Sequence, residues 1–303
     1  MIYTLTTNPS VDYYIYLKDK LKEGINRPTK YDFVAGGKGV NVSKILSNLK
    51  QKNICVLLAG GFSGDYIKYQ LSKDENIEVL LIPIEDNSRI NVKIRCNKNE
   101  IDLNTIGPEV TKEKQNELVS VFSKIKDSDY VCISGSLQKG MIETVIRIAE
   151  NVNKNKGKLI LDVPNMSYDE IVSCKPYLIK PNDEEIKHIL KTDISFPELI
   201  YEIKEKITEK GINCLLSLGE KGSCYISKDR IILAESPKVT VINTVGAGDS
   251  LLAAFVYMLE NNNSIEECLK FATATGSATV KKATLPTKDD IIKLVNKVII
   301  KDL

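Results

Sequence analysis

The chain has 303 residues, of which 42 are Lys or Arg and 40 are Asp or Glu, and a formal net charge of +2. That balance favours neither a nucleic-acid surface nor a strongly acidic partner. Its single histidine, His188, cannot support a His-rich zinc site and would have to serve alone in a hydrolase triad, so acid–base chemistry falls to carboxylates and lysines.

The first segments in chain order, VDYYIYL (11–17) and TKYDFVAGG (29–37), alternate polar with apolar residues, as half-exposed antiparallel strands do. A helix is expected at 38–50, followed by the apolar runs ICVLLAG (54–60) and VLLIPI (79–84). RINVKIRC (89–96) and EIDLNTIG (100–107) alternate again, across the turn signal Asn97-Lys98-Asn99. Beyond them, helices at 112–125, 140–154, 183–191 and 198–210 interleave with the runs YVCIS (130–134), KLILDV (158–163), YLIK (177–180) and CLLSLG (214–219). Runs apolar on both faces suit parallel strands covered by helices on each side. CYISKDRIILAE (224–235) reads as a hairpin, and helices at 249–260, 265–280 and 287–300 complete the pattern. The expectation is one α/β domain spanning residues 1–303, whose chain leaves the core twice, over about 11–34 and 88–107, to build a small β lid. The seven cysteines are scattered through apolar runs without a CxxC pair, MIYTLTTNPS carries no leader signal, and no apolar run is long enough to cross a bilayer. These features point to a reduced, cytoplasmic protein with no membrane or nucleic-acid partner.

Four turns follow strands, and three of them bear glycine. AGGKGVN (35–41) looks like a phosphate loop but lacks the Gly-Lys-Ser/Thr triplet of a Walker A motif; its glycines allow close backbone approach, with Lys38 and Asn41 in the following helical turn. KPNDEE (180–185) sets Asn182 three residues before Glu185, which on its own reads first as an ordinary helix cap and second as a ligand pair at a strand end. SLGEKGS (217–223) is a nucleotide loop or a simple turn. NTVGAGDS (243–250) opens a helix with Asp249 near its N-terminus. Gly246 and Gly248 weaken a helix and are wasted if Asp249 only caps it. A carboxylate beside free N–H groups can accept a hydroxyl proton while those groups hold an anion.

In this order and spacing, TLTTNPSVDYY (4–14), AGGKGVNVSKIL (35–46), SRINVKI (88–94), SGSLQKG (134–140), KPNDEE and TVGAGDS resemble the ribokinase-like carbohydrate kinases of the phosphofructokinase B family. The resemblance covers essentially the whole chain and is to the branch containing 1-phosphofructokinase and tagatose-6-phosphate kinase. It implies a three-layer α/β/α core with a mostly parallel sheet and a lid, and ATP-dependent, magnesium-assisted phosphorylation of a hydroxymethyl group on a sugar phosphate. Asp249 would be the catalytic base, with Gly246, Ala247 and Gly248 forming the anion hole. Asp12 would bind sugar hydroxyls beside Gly36, Gly37 and Asn41, and Lys38, Arg89 and Arg27 would hold the substrate phosphate, Lys38 and Arg89 converging at its far end from Asp249. Lys180, Asn182 and Glu185 would organise the triphosphate and Mg2+, Asn182 through water. Ser217, Gly219 and Gly222 would form the nucleotide loop, and the apolar outer side of the lid would join a homodimer.

The chain departs from the family pattern at Val163-Pro164-Asn165, at Gln138 and in the tail KKATLPT (281–287), positions that bear on substrate and nucleotide choice. Fructose 1-phosphate is the first expected acceptor, ahead of tagatose 6-phosphate and fructose 6-phosphate. The alternative of another class is a catalytically inactive sugar-phosphate sensor. A dinucleotide oxidoreductase is disfavoured because no GxGxxG follows the first strand.

Overall fold

Alternate residues of the central strands face opposite layers of helices, and this two-residue period sets the architecture. The computed structural model describes residues 1–96 and 99–303. In chain order it begins with β1 (Ile2–Thr6), β2 (Ser10–Leu17), β3 (Lys30–Gly36), α1 (Lys38–Asn48), β4 (Asn53–Gly60), α2 (Gly61–Ser72), β5 (Ile77–Ile84), β6 (Arg89–Cys96) and β7 (Asn99–Leu103). Next come α3 (Lys112–Val121), β8 (Tyr130–Ser134), α4 (Ile142–Lys154), β9 (Lys158–Asp162), α5 (Tyr168–Cys174), β10 (Leu178–Ile179), α6 (Asp183–Leu190) and α7 (Leu199–Lys206). The chain closes with β11 (Asn213–Ser217), β12 (Ser223–Ile226), β13 (Ile231–Glu235), α8 (Ala247–Glu260), α9 (Ile265–Val280), α10 (Lys288–Val295) and β14 (Ile299–Asp302).

The main sheet has ten strands in the order β14-β13-β12-β11-β10-β9-β8-β1-β4-β5. From β11 to β5 the neighbours are parallel, while β12, β13 and β14 pair antiparallel. Val131, Ile133, Leu159 and Leu161 pack with side chains of α3 to α7 on one face. Tyr130, Cys132 and Ile160 pack with those of α1, α8 and α9 on the other. Each helix buries the stripe its sequence provides: α4 buries Val145, Ile148, Ala149 and Val152, at the spacing of one helical face. Helix α8 packs between α1 and α9, and it buries Leu251 through Val256 without a break. This is the three-layer α/β/α arrangement expected.

The chain runs outward from β1 to β4 and β5, then returns to β8 on the other side of β1. Loops at such a reversal diverge at the C-terminal ends of the strands and leave a crevice between them. Over this crevice lies a second sheet, β3-β2-β6-β7. The register sets Asp12 opposite both Val34 and Asn91, and Ser10 opposite Arg89, so one face carries the polar set Ser10, Asp12, Arg89 and Asn91. The opposite face carries Tyr13, Phe33 and Leu103. The strands of this sheet come from two stretches, Ser10–Gly36 and Arg89–Leu103; of the expected turn, Asn97 and Lys98 lie outside the described residues.

Four elements extend the sequence pattern: β1, α2, α5 and β14. The helix expected at 287–300 needs correction, because α10 ends at Val295 and residues 299–302 pair with β13 instead. All seven cysteines are buried and free, and among the described residues no helix is long and apolar enough to cross a membrane.

Candidate active site

The N-terminus of α8 points into the crevice. Gly246 immediately precedes the helix with φ 79°, a left-handed conformation that is cheap for glycine alone. Among the described residues no side chain caps the helix, and the Ala247 N–H is met only by the Thr244 carbonyl, at 3.3 Å. Asp249 therefore is not a cap. Its Oδ2 accepts a 2.8 Å hydrogen bond from Asn41 Nδ2 in α1, and the residue is 6% exposed. Burial pushes its pKa up to about 6, and the nearby charge of Asp162 adds to the rise; the Asn41 bond and the cations Lys180 and Lys38 oppose it.

Asp162 ends β9 and is the centre of a compact charge cluster. Its Oδ1 accepts from Lys38 Nζ at 2.9 Å and lies 3.4 Å from Lys180 Nζ. Its Oδ2 is buried without a partner. Lys180 follows β10 and is itself buried; a Cβ added to Gly248 would sit 3.2 Å from its ammonium, so Lys180 reaches beneath the start of α8. Glu185 is held by a reciprocal capping box with Asn182: Asn182 Oδ1 accepts from the Glu185 N–H and Glu185 Oε2 from the Asn182 N–H, both at 2.8 Å. The other Glu185 oxygen, Oε1, is 3.4 Å from Lys38 Nζ. The cap and the site thus share one residue, since capping fixes the carboxylate that faces Lys38.

On the lid side, Asp12 Oδ1 accepts from Ser10 Oγ and Asn91 Nδ2, each at 2.8 Å. A Cβ on Gly36 would come within 2.7 Å of Asp12 Oδ2, so the backbone there can stay close to the carboxylate only as glycine. Gly37 has φ 120°, and a Cβ would meet Thr6 Cγ2 at 2.8 Å, which lets strand β3 turn directly into α1. Arg89 donates its Nε to the Asn8 carbonyl at 3.1 Å, leaving its terminal nitrogens for another acceptor. Gln138 donates to the neighbouring carbonyl, that of Thr7, at 2.6 Å. The family departure at 138 therefore places an amide against the same turn that anchors Arg89.

Two expected placements differ from the structure. Lys38 does not converge with Arg89 at the end of the crevice away from Asp249; it ion-pairs with Asp162 and Glu185 and is close enough to Asp249 to feel its charge. Arg27 is exposed between β2 and β3, and among the described residues nothing ties it to the cluster. Ser217 ends β11 and pairs with the Pro181–Asn182 segment, its N–H donating to the Pro181 carbonyl at 3.0 Å. Gly219 and Gly222 form the turn that follows. Gly222 already has a structural reason to be glycine, since a Cβ would collide with the Ala234 carbonyl at 1.9 Å.

Asp162, Asn91 and Ser10 are the site residues that sequence reasoning missed. Position at a strand end of a parallel sheet was the available signal for Asp162; the lid pairing that brings Asn91 to Asp12 left none. Asp162 and Glu185 fit a magnesium ion, because each turns one oxygen to the Lys38 ammonium, at 2.9 and 3.4 Å, and Asp162 Oδ2 has no hydrogen-bond partner among the described residues. Among the described residues no cluster of three or more His, Cys, Asp or Glu forms a cage. This suits a cation held by one or two carboxylates together with phosphate oxygens and water.

The sequence model of the pfkB family carbohydrate kinases matches residues 5–288. A 1-phosphofructokinase of Borreliella burgdorferi is 33% identical, with 100% of this chain and 99% of that protein covered. A D-tagatose-1-phosphate kinase of Bacillus licheniformis is 34% identical over 92% of each chain. Among solved structures, phosphofructokinase-2 of Escherichia coli in complex with fructose-6-phosphate superposes with a TM-score of 0.90, at 26% identity and 98% coverage of both chains.

Proposed function

The chain belongs to the pfkB family of carbohydrate kinases, and we propose that it is the member that phosphorylates fructose 1-phosphate with ATP, giving fructose 1,6-bisphosphate. The observation that carries the reading is Asp249, buried and uncapping at a helix N-terminus, beside a basic and acidic cluster suited to a nucleotide with its metal. Two relatives above 30% identity are named for ketose 1-phosphates, 1-phosphofructokinase and D-tagatose-1-phosphate kinase. Fructose and tagatose differ at one stereocentre, so a shared 1-phosphate is the stronger common feature. Fructose 6-phosphate, bound by the E. coli neighbour, is the natural competitor. A coupled ADP-release assay over these three ketose phosphates tests the choice: the highest kcat/KM should belong to fructose 1-phosphate, and a preference for fructose 6-phosphate would reject it.

In this reading Asp249 takes the proton of the acceptor hydroxyl as the phosphoryl group arrives. ATP supplies that group, and Mg2+ at Asp162 and Glu185, with Asn182 acting through water, would neutralise its charge. The N–H groups of Gly246, Ala247 and Gly248 face the migrating charge, and Lys180 supports them from below. Asp12, its second oxygen free beside Gly36, binds sugar hydroxyls, and Arg89 binds the sugar's phosphate. Ser217, Gly219 and Gly222 flank the nucleotide.

Asn41 sets the working range of the base. Its bond lowers the Asp249 pKa against the effect of burial, so Asn41→Ala should move the acid limb of the kcat/KM profile to higher pH. A limb at the wild-type position would show that the amide has no hold on the base.

The lid exposes Tyr31, Phe33 and Leu103, all on the face away from Asp12. An apolar sheet face of this kind invites pairing, and the homodimer we propose covers it. Light scattering should give twice the 33.8 kDa chain mass; a monodisperse monomer would reject the dimer and leave the kinase reading intact.

A further inference from the structure

Lys38 stands where two functions compete for it. Its ammonium lies between Asp162 Oδ1 at 2.9 Å and Glu185 Oε1 at 3.4 Å, the two carboxylates that fit the metal. Asp162 Oδ1 is already served by Lys180 at 3.4 Å, yet Asp162 Oδ2, fully buried, has no hydrogen-bond partner among the described residues. The cluster therefore holds one over-served oxygen and one unserved oxygen, an arrangement suited to a further cation and not to the lysine pair alone. The two lysines differ in freedom. The Lys180 side chain is 4% exposed and enclosed, whereas that of Lys38 is 30% exposed and begins at the first residue of α1, next to Gly37 and the sugar side of the crevice. Burial works against its charge, and Asp162 and Glu185 more than restore it. An ammonium and a divalent ion cannot share these carboxylates at 3 to 4 Å without strong repulsion.

We infer that Lys38 is an exchangeable counter-ion: it neutralises Asp162 and Glu185 in the empty site and, once a divalent cation engages them, swings to the anionic acceptor. The inference rests on the kinase reading and adds to it a coupling between the two substrates. Lys38 first keeps the buried Asp162 and the half-buried Glu185 from carrying uncompensated charge, and then becomes available to the sugar phosphate or the phosphoryl group only when the donor is in place. By linkage the effect is reciprocal, so the acceptor must strengthen metal–nucleotide binding by the same factor that metal–nucleotide strengthens the acceptor's.

The test is calorimetric and needs no turnover. Fructose 1-phosphate is titrated into the full-length protein with and without magnesium and the non-hydrolysable β,γ-imido analogue of ATP. Wild type should bind the sugar phosphate about fivefold or more tightly in the ternary mixture, the lower end of ordinary coupling factors. Lys38→Met should abolish the difference and bind Mn2+ alone about tenfold more tightly, as expected when a partly exposed competing charge is removed. Lys38→Arg, which keeps the charge, should retain the coupling and controls for folding. Equal sugar-phosphate affinities in wild type, or coupling that survives in Lys38→Met, would overturn the inference. Turnover of fructose 1-phosphate by wild type is measured separately: its absence rejects fructose 1-phosphate as the acceptor, and the Mn2+ comparison still reports whether Lys38 holds the carboxylates.

Discussion

Asp249→Asn should lower turnover by about 10² to 10⁴, the range for loss of a general base, with little change in the binding of ATP or the sugar phosphate. The substitution keeps size and shape, and an asparagine can still meet the Asn41 amide, so the N–H groups at the start of α8 stay in place. What disappears is the carboxylate at the helix end. Two pH signatures accompany it. The wild-type kcat/KM should fall as the medium is acidified through about pH 6, the value to which burial and Asp162 push Asp249, and this limb should be missing from the residual activity of the variant. The second signature concerns stability. A carboxyl whose folded pKa lies above its unfolded value binds more protons when folded, so its contribution to stability is complete below the unfolded pKa of about 3.9 and is lost as pH rises through the folded value. Ionised Asp249 is thus a liability at neutral pH. The inactive variant should melt at a higher temperature than wild type at pH 7 and show no such advantage near pH 4. Wild-type turnover in Asp249→Asn would reduce the residue to a structural role.

Arg89→Ala should raise the Michaelis constant for fructose 1-phosphate tenfold or more and leave that for ATP almost unchanged. A charge-assisted hydrogen bond contributes about 1.5 to 3 kcal/mol, and each 1.4 kcal/mol or so is a factor of ten. Arg89 is built for this role by its neighbours. Its Nε is anchored on the Asn8 carbonyl, which orients the fork, and pairing of β6 with β2 sets it on the same face as Asp12. Burial lowers its pKa, and Asp12 opposes the effect without ion-pairing to it. Unphosphorylated fructose is the control. If Arg89→Ala weakens both sugars equally, or if wild type prefers the neutral sugar, then Arg89 does not hold a phosphate and the acceptor is a free sugar.

The parts of the molecule legible in sequence are those whose signals are local. Helix α9 runs over 265–280 as expected because Ser264 and Glu267 form a capping box and the following stretch is continuously helical in pattern. The glycine loop at 246–248 announced itself by two residues that a helix alone would not choose. Strand β14 was hidden for the opposite reason: Ile291, Leu294, Val295 and Val298 continue a helical period, and only pairing with distant β13 turns Ile299–Asp302 into a strand. Helix α2 was hidden because it begins at Gly60-Gly61 with no side-chain cap. The site shows the same division. Asp249 and Glu185 were readable from their motifs, whereas the direction of Lys38, a long chain that can reach either substrate, is decided by Asp162 and Glu185 more than a hundred positions away.

The lid and its attachments have a consequence for how such an enzyme can change over generations. The residues assigned to the acceptor, Asp12, Gly36, Gly37, Asn41 and Arg89, all fall within the first 89 positions, on β2, β6 and the β3–α1 junction. Those assigned to the donor, from Asp162 to Asp249, come from β9 to α8. Substrate choice and phosphoryl supply are therefore inherited as separate stretches of one gene. A recombination event between them can exchange one ketose phosphate for another, provided that it keeps Lys38 and Asn41, which reach Asp162, Glu185 and Asp249 from the first stretch.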